Sequence, residues 1–474
     1  MPAPRGHFFW PADKETSVTT RRDLLAASAA TALLAACAST RGGADLPPIV
    51  FVHGNGDSAS IFQSLLWRFE SNGWPRERLH AIDLPYPTAT EDHARPQPGR
   101  STSADFRNHL RAEVDRMLQA TGAGQVVLVA LSRGGNAVRD YIQNGPGADR
   151  VSHAILGGTP NHGVWALPDF QPNSEFNGTG PFLRALNTPR NAQGDEVTGP
   201  VRWLTIRSDG NDKFAQPDGL WIGRRGQPTH VTAAGPELKG ATNVVIPRID
   251  HRETALSPAA FAAMHQFLTG RPPAQPAVVP EPRVVLSGQV SGLGVSSTDP
   301  ASGNLPNNLP LPGATLAVYA VDAGTGERRG PALLSQAIGP DGRWGPLATT
   351  PETRLEFVVA APGYATTHVY RSPFPRSSAI VHLRPERVPG ADRDAPALVL
   401  MTRPRGYFDP TRDRMAFDGQ TPPPGALPGA GVASSRIQPA GLPRTVVAEF
   451  NGEKVVGRSW PLAQNRVSVL ELTD

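Results

Sequence analysis

Residues 126–135 read VVLVALSRGG, and this run constrains the fold more than any other part of the chain. An unbroken apolar strand passes directly into Ser132, with Ala130 two positions before it and Gly134 two positions after it. A sharp strand-to-helix turn that holds a serine in a strained conformation has room only for very small side chains at those positions. The run therefore predicts a strand, a projecting serine hydroxyl and a helix at 136–142. An ordinary strand-to-helix turn with an exposed serine is the alternative interpretation.

Strands and helices alternate along the chain before residue 270. Apolar strands are indicated at 49–52, 126–131, 154–156, 201–206 and 243–246. Between and after them, apolar residues recur at helical spacing, at 61–69, 106–118 and 259–268. The alternation predicts an α/β domain over 47–270 with a doubly wound, mostly parallel sheet. In such sheets the functional groups gather at the carboxyl ends of the strands.

The second half of the chain has a different pattern. Residues 271–283 are rich in proline and predict a semi-rigid linker. Beyond it, short alternating runs separated by Gly, Pro and Asp turns predict antiparallel strands, and helical periodicity is nearly absent. We expect a β-sandwich domain at 284–385, a second proline-rich stretch, and a further small β domain at 396–474.

The N-terminus predicts export. Arg21 and Arg22 precede an Ala/Leu-rich stretch that is too short to span a membrane, so residues 1–36 resemble a twin-arginine export signal. Cys37, the only cysteine, follows Leu-Ala-Ala and resembles the acylated cysteine of a bacterial lipobox, with 37–46 as a linker. We therefore expect a periplasmic or cell-surface lipoprotein that uses the export machinery and contacts the membrane through its lipid anchor. Cleavage at a nearby small residue and simple secretion is the alternative.

Charge and length exclude some classes of function. The formal net charge is +4, and the arginines are scattered among acidic residues without a run that could follow a phosphate backbone. Nucleic acid is therefore not an expected partner. At 474 residues the chain is too long for one compact core, and a single cysteine allows no internal disulfide, so two or three separately packed regions are expected.

A serine nucleophile needs a base and an acid that orients it, and in α/β folds of this kind the order is serine, acid, histidine. Asp209, Asp212 and Asp218 all follow the strand at 201–206. We favour Asp212, because an acid deep in that loop can turn back toward the histidine, with Phe214 packing behind it. For Asp209, a surface Asp-Gly-Asn turn is the preferred interpretation.

His251 is the candidate base, because it follows the strand at 243–246 and precedes the last helix. An exposed loop histidine is the alternative. His162 follows the wrong strand for this function, and His230 and His265 are not placed at a strand end.

An oxyanion hole requires two backbone N–H groups. One is expected from Arg133, the residue after the nucleophile, and the other from Asn55 in the His53-Gly54-Asn55 turn after the first strand. A glycine-rich turn could instead bind phosphate, but no Lys-Ser/Thr pair follows it. The ordered set predicts a serine hydrolase that requires no cofactor and no metal.

A long insertion at 165–200 carries aromatic residues among Pro, Gly and Asn. Trp165, Phe170, Phe176 and Phe182 are candidates for a lid or a groove that binds an acyl chain. A surface Ω-loop with its own small apolar cluster is the alternative.

These residues resemble a bacterial lipase and esterase family of the α/β-hydrolase fold over roughly 47–270. The resemblance lies in FVHG at 51–54, ALSRG at 130–134, GTPNHG at 158–163 and FLRALN at 182–187. YRSPF at 370–374 and NGEK at 451–454 resemble the accessory C-terminal domains of certain prokaryotic lipases. The resemblance implies hydrolysis of acylglycerols or related carboxylic esters without a redox cofactor.

Two positions depart from the family. Such lipases usually carry His before the nucleophile and Met or Gln after it, whereas this chain has Leu131 and Arg133. The Arg133 side chain could meet an anionic substrate or product, or it could point down and pair structurally.

The main hypothesis is an exported, membrane-tethered carboxylic ester hydrolase, foremost a triacylglycerol lipase or esterase, that forms an acyl-enzyme on Ser132. A depolymerase of an extracellular polyester such as polyhydroxyalkanoate is one alternative. A non-catalytic surface binding protein is another, from a different class.

Overall fold

The computed structural model describes residues 46–440 and 443–473. The predicted export signal, Cys37 and almost all of the 37–46 linker lie outside the described residues. Residues 47–474 form one compact unit. Within the described ranges, no helix combines the length and the apolar character needed to cross a membrane.

The N-terminal half is built on a parallel sheet. Its six strands are β1 (Ile49–Val52), β2 (Leu79–Ala81), β3 (Val126–Leu131), β4 (Val151–Gly157), β5 (Arg202–Arg207) and β6 (Thr242–Val245). They lie in the order β2-β1-β3-β4-β5-β6, and every neighbouring pair is parallel. The helices of this half are α1 (Gln63–Ser71), α2 (Ser103–Thr121), α3 (Arg133–Asn144), α4 (Gly147–Arg150), α5 (Pro181–Leu186), α6 (Glu253–Leu256) and α7 (Pro258–Thr269).

Helix α2 shows how the sequence fixes these elements. Thr102 and Asp105 form a capping box at its start, and Gly122 ends it in the left-handed conformation at φ 66°. Phe106, Leu110 and Val114 follow at helical spacing and are buried in the core that the central strands share. Burial of each such side chain contributes about 1.5–3 kcal/mol relative to exposure. The same core holds β3 in place beneath Ser132.

The C-terminal half is almost entirely β structure, as predicted. A seven-stranded sheet has the order β11-β10-β13-β14-β20-β15-β17. Its strands are β10 (Thr315–Ala320), β11 (Leu334–Ala337), β13 (Leu355–Ala360), β14 (Thr366–Arg371), β15 (Val399–Thr402), β17 (Ser434–Ile437) and β20 (Arg466–Glu471). Smaller sheets pair β7 (Val284–Gln289) with β12 (Arg343–Thr349), β8 (Ser291–Leu293) with β9 (Pro306–Pro310), and β18 (Thr445–Phe450) with β16 (Met415–Phe417) and β19 (Glu453–Arg458).

The large sheet crosses the predicted boundary at 385–396. Strand β14 from the first predicted β segment pairs in parallel with β20 from the second. Ala365, Leu398 and Val467 pack in one buried cluster across the same boundary. The proline-rich stretch therefore runs between strands of one sheet.

The predicted linker at 271–283 lies against the α/β half. The Gln275 backbone N–H donates to Asn72 Oδ1 at 2.9 Å, and the Val279 N–H donates to Ser71 Oγ at 3.0 Å. Nearby, the buried Trp67 of α1 donates from Nε1 to the Ser377 carbonyl at 2.9 Å. These contacts fasten the β half to the α/β half along α1.

Candidate active site

Ser132 stands in a strained turn between β3 and α3. Its backbone has φ 55° and ψ −123°, a conformation that non-glycine residues rarely adopt. A Cβ added at Gly134 would lie 2.4 Å from the Val52 carbonyl oxygen, so that position has no room for a side chain. Ala130 is fully buried and pairs with Val52 and Leu156 of the neighbouring strands. The small residues therefore sit where the close approach of β1 requires them.

Asp212 and His251 meet at the carboxyl ends of β5 and β6. His251 Nδ1 lies 2.9 Å from each carboxylate oxygen of Asp212, and both side chains are buried. Because the carboxylate can only accept, Nδ1 carries the hydrogen and Nε2 is left free to take a proton. Phe214 packs with its ring centroid 4.4 Å from that of His251, and its backbone N–H donates to Asp212 Oδ1 at 2.8 Å.

The alternative acids have other partners. Asp209 is exposed, and its Oδ1 accepts hydrogen bonds from the Gly210 and Arg248 backbone N–H groups. The Arg248 bond is the main cause that lowers the pKa of Asp209. Asp218 is also exposed and accepts from the Leu220 N–H at 2.9 Å. Both therefore serve as turn residues.

The other histidines that the sequence offered lie apart from Ser132. His162 pairs with Glu196 at 2.8 Å and with the Gly235 carbonyl at 2.7 Å, and the bond to Glu196 raises its pKa. His265 packs between Trp74 and Phe261, and its Nδ1 contacts the Arg271 carbonyl at 2.8 Å.

The two expected oxyanion donors are backbone N–H groups beside Ser132. Arg133 is the first residue of α3, so its N–H has no acceptor within the helix. Among the described residues, the Asn55 N–H also has no hydrogen-bond acceptor. The Asn55 side chain accepts from the Ala89 N–H at 2.8 Å, which fixes the turn beside Gly54. A Cβ at Gly54 would lie 3.2 Å from Ser132 Cβ, so glycine permits this close approach.

The Arg133 side chain points into the protein and is fully buried. Its Nε donates to Glu175 Oε1 at 2.8 Å, and its remaining nitrogens donate to Ser101 Oγ, the Ser101 carbonyl and the Pro87 carbonyl at 2.8–2.9 Å. The structure therefore supports a structural ion pair for Arg133 rather than contact with an anionic substrate or product. Because Glu175 belongs to the 165–200 insertion, the ion pair fastens that insertion to the nucleophile turn.

Ser132 and His251 line one pocket of about 310 Å³. Trp165 and Phe176 from the insertion line its wall, with their ring centroids 6.2 Å apart. Phe170 does not line the pocket and instead packs behind Trp165, 5.5 Å between ring centroids. Phe182 is wrongly placed in the predicted groove, because it lies on α5 and packs with Leu183 and Leu186.

The insertion is an ordered loop that also forms a pocket wall. The buried Asn177 amide donates to the carbonyls of Leu167, Phe170 and Gln171, and its Oδ1 accepts from the Thr179 N–H at 3.0 Å. Function as a lid or as an acyl groove stays a prediction for this segment.

The C-terminal half also reaches the pocket, which no sequence pattern indicates. Asp250, next to His251, is fully buried, and its Oδ2 accepts from Arg403 Nη1 at 2.8 Å and from the Tyr407 N–H at 2.7 Å. Glu253 accepts from Arg403 Nη2 and Arg412 Nη1, each at 2.6 Å. Tyr407 itself lines the pocket. An Arg-Pro-Arg-Gly-Tyr turn at 403–407 was visible in the sequence, but nothing in it names partners at 250–253.

Two matches to known families follow these regions. Residues 47–214 match the family described as alpha/beta hydrolase fold, and residues 282–388 match the family described as lipase C-terminal domain. The second match ends before Arg403, so the segment that reaches the pocket lies outside both.

Similar solved structures include two lipases. Lipase B of Aspergillus fumigatus is 15% identical at a TM-score of 0.36, and the match covers 49% of this chain and 54% of that one. This chain thus spans about half the length of that lipase. The propeptide form of Bacillus licheniformis lipase BlEst2 is 15% identical at a TM-score of 0.35, covering 87% of this chain and 92% of that one. Its mature form is 21% identical at a TM-score of 0.33, covering 47% and 92%.

The fold assignment depends on the sheet topology and the two family matches. The predicted α/β-hydrolase fold, with a β-rich C-terminal region, is confirmed. The predicted enzyme class, a serine ester hydrolase, agrees with both matches. The two family matches therefore support an α/β-hydrolase domain at residues 47–214 and a lipase C-terminal domain at residues 282–388.

Proposed function

We propose that the protein hydrolyses carboxylic esters through an acyl-enzyme on Ser132, with His251 as the base and Asp212 as the acid that orients it. The observation that carries this proposal is the His251–Asp212 contact of 2.9 Å beside a pocket that Ser132 shares. The strained turn at Ser132 and the unpaired N–H groups of Asn55 and Arg133 support the same function.

The chemistry follows from these positions. His251 Nε2 takes the hydroxyl proton while Ser132 Oγ attacks the ester carbonyl carbon. The N–H groups of Asn55 and Arg133 stabilise the negative oxygen of the tetrahedral intermediate. His251 then gives the proton to the departing alcohol. In the second half of the reaction, His251 takes a proton from water, the water oxygen attacks the acyl carbonyl carbon, and the proton returns to Ser132 Oγ as the acid departs.

The pocket favours a small or medium-sized ester. Its volume of about 310 Å³ lies at the lower end of the range for ligand pockets, and the aromatic wall of Trp165 and Phe176 suits an acyl chain. Comparison of emulsified triglyceride, water-soluble short-chain esters and polyester film separates lipase, esterase and depolymerase activity. We expect the soluble short-chain esters to be hydrolysed fastest.

The first experiment compares Ser132→Ala with the wild type on p-nitrophenyl butanoate. We expect loss of hydrolysis in Ser132→Ala. Ser434→Ala, at an exposed serine in β17 that does not line the pocket, is the matched control and should keep wild-type activity. Full activity in Ser132→Ala would rule out the proposed nucleophile. A wild-type protein that neither hydrolyses the ester nor reacts with a fluorophosphonate probe would instead revive the hypothesis of a non-catalytic binding protein.

We also propose that residues 1–36 direct export and that Cys37 is acylated, which would anchor the enzyme at the membrane. The twin arginines and the single cysteine after Leu-Ala-Ala support this proposal. Mass spectrometry of the mature N-terminus should find a diacylated Cys37. An unmodified or removed Cys37 contradicts the lipoprotein and leaves simple secretion.

A further inference from the structure

Tyr407 is the residue of the C-terminal half that reaches the catalytic pocket. It lies outside both family matches, yet it lines the same pocket as Ser132 and His251 and is only 8% exposed. It comes close to both loops of the triad. Lys213, next to Asp212, has its Nζ 4.0 Å from the centre of the tyrosine ring, and the guanidinium of Arg252, next to His251, lies 5.1 Å from it.

Hydrogen bonds hold both the backbone N–H and the backbone carbonyl of Tyr407. Its N–H donates to Asp250 Oδ2 at 2.7 Å, and its carbonyl accepts from Arg403 Nη1, also at 2.7 Å. A Cβ at the preceding Gly406 would lie 2.0 Å from Arg403 Nη1, so glycine is required for the guanidinium to pack there. The ring is therefore placed by a buried, charged framework, which is the condition for a preorganised binding group.

The hydroxyl group of Tyr407 is available for a hydrogen bond to a ligand. Among the described residues, none forms a hydrogen bond with it, and it is not sealed from solvent. Neighbouring polar groups in the pocket are already paired, since Arg252 bonds Asp57 at 2.7 Å and Asn55 Oδ1 bonds the Ala89 N–H. Burial raises the pKa of Tyr407 to about 12, so the phenol stays neutral and able to donate at physiological pH.

We propose that Tyr407 is a specificity-determining residue and that its hydroxyl donates a hydrogen bond to a second oxygen of the substrate, outside the ester that Ser132 attacks. The inference rests on the proposed ester hydrolysis. It names the substrate class as esters with a further oxygen close to the reacting group, such as partial glycerol esters. A pocket that binds such an oxygen discriminates against a plain alkyl ester, because the alkyl ester displaces water from the hydroxyl and offers it no acceptor in return.

Two substrates with one acyl group test this proposal. Propyl butanoate and 1-glyceryl monobutanoate give the same acyl-enzyme and differ only in the hydroxyl groups of the alcohol. Tyr407→Phe removes the phenol oxygen and keeps the ring. We expect kcat/KM for the glycerol ester to fall by about 3–10-fold, the effect of one hydrogen bond of about 0.7–1.4 kcal/mol, with propyl butanoate unchanged.

Tyr319→Phe is the matched control, because Tyr319 is a half-buried tyrosine of β10 that does not line the pocket. It should leave both substrates unchanged. All rates are expressed per active site, titrated with a fluorophosphonate probe, so a partly misfolded preparation does not alter the ratio.

The remaining outcomes each decide the question. Equal losses on both substrates would assign Tyr407 a packing function only, and no loss on either would show that its hydroxyl binds nothing; both overturn the proposal. A wild-type protein that neither hydrolyses these esters nor reacts with the probe contradicts the proposed function itself. The proposed function of Tyr407 in substrate preference can thus be disproved while the proposed ester hydrolysis is retained.

Discussion

The turn at Ser132 and the loop at His251 are held in place by different kinds of contact. Around Ser132, the required small residues lie within two positions of the serine, and the end of β1 brings the backbone carbonyls of Val52 and His53 that exclude anything larger at Gly134. Around His251, the flanking Asp250 and Glu253 are held by Arg403 and Arg412, side chains from a different half of the chain. The first arrangement is local in sequence, whereas the second depends on the C-terminal half packing against the catalytic fold. The segment that follows the lipase C-terminal domain is therefore a structural part of the candidate active site rather than an appended module.

The largest expected effect concerns Asp212, whose carboxylate contacts His251. Asp212→Asn should lower kcat by about 10⁴-fold, since an amide can leave His251 in the wrong tautomer while the geometry is kept. Steady-state kinetics on p-nitrophenyl butanoate measure it. Asp209→Asn, in the exposed turn of the same loop, is the control and should retain wild-type kcat. If Asp209→Asn were the more damaging change, the triad would be assigned to the wrong acid.

The local arrangement is tested at Gly134. Gly134→Ala places a Cβ about 2.4 Å from a backbone carbonyl that cannot easily move, so the turn must shift. A shift of roughly 1 Å at the reacting atom costs on the order of 10²-fold in rate. Gly124→Ala, where nothing lies within 4 Å, is the control. Wild-type kcat in Gly134→Ala would mean that the turn does not need its close approach to β1.

The long-range arrangement is tested at Arg403. Arg403→Met leaves the buried Asp250 without its strongest partner, which should lower the free energy of unfolding by about 3 kcal/mol. We also expect kcat to fall by about 10-fold, because the His251 loop loses its fixed position. Denaturant unfolding and kinetics at saturating substrate measure the two effects.

The control for that change is Arg329→Met, which breaks an ion pair with Asp322 on the surface of the same half. Exposed pairs contribute at most about 1 kcal/mol, so both stability and kcat should stay close to wild type. Equal effects in the two variants would contradict a special function of Arg403 in holding the base loop.

The smallest expected effect is a pH dependence of stability that involves Lys213. This residue follows Asp212 and contacts the C-terminal half. Burial lowers the pKa of Lys213 to about 8, and its Nζ donates to the Gly431 carbonyl at 2.7 Å. Between pH 8 and the usual lysine range near 10.5, the unfolded chain binds more protons, so stability rises with pH. The Tm of the wild type relative to Lys213→Met should therefore increase across this window. A constant difference would indicate that Lys213 is not desolvated by the C-terminal half.

Sequence patterns predict the structure correctly where the residues that determine it are close together in the chain. The period of the apolar residues indicated the parallel sheet and the β-rich second half, and the order of strand ends pointed to Asp212 and His251, which the structure brings into contact. Phe182 was misplaced because an aromatic residue in a loop carries no information about which side of that loop it packs on. Tyr407 and Arg403 were missed for a related reason: their partners lie about 150 residues earlier, and no local pattern encodes such a pairing.

Hydrolysis through an acyl-enzyme requires that Ser132 is the nucleophile. Peptide mass spectrometry after reaction with a fluorophosphonate probe, which modifies the activated serine irreversibly, locates that residue. We expect one adduct per chain, on the peptide that contains Ser132, and much slower labelling of Asp212→Asn, because the probe reacts with the same activated hydroxyl. An adduct on another residue, or an unmodified Ser132 in a preparation whose ester hydrolysis the probe has abolished, would contradict the assignment of Ser132 as the nucleophile.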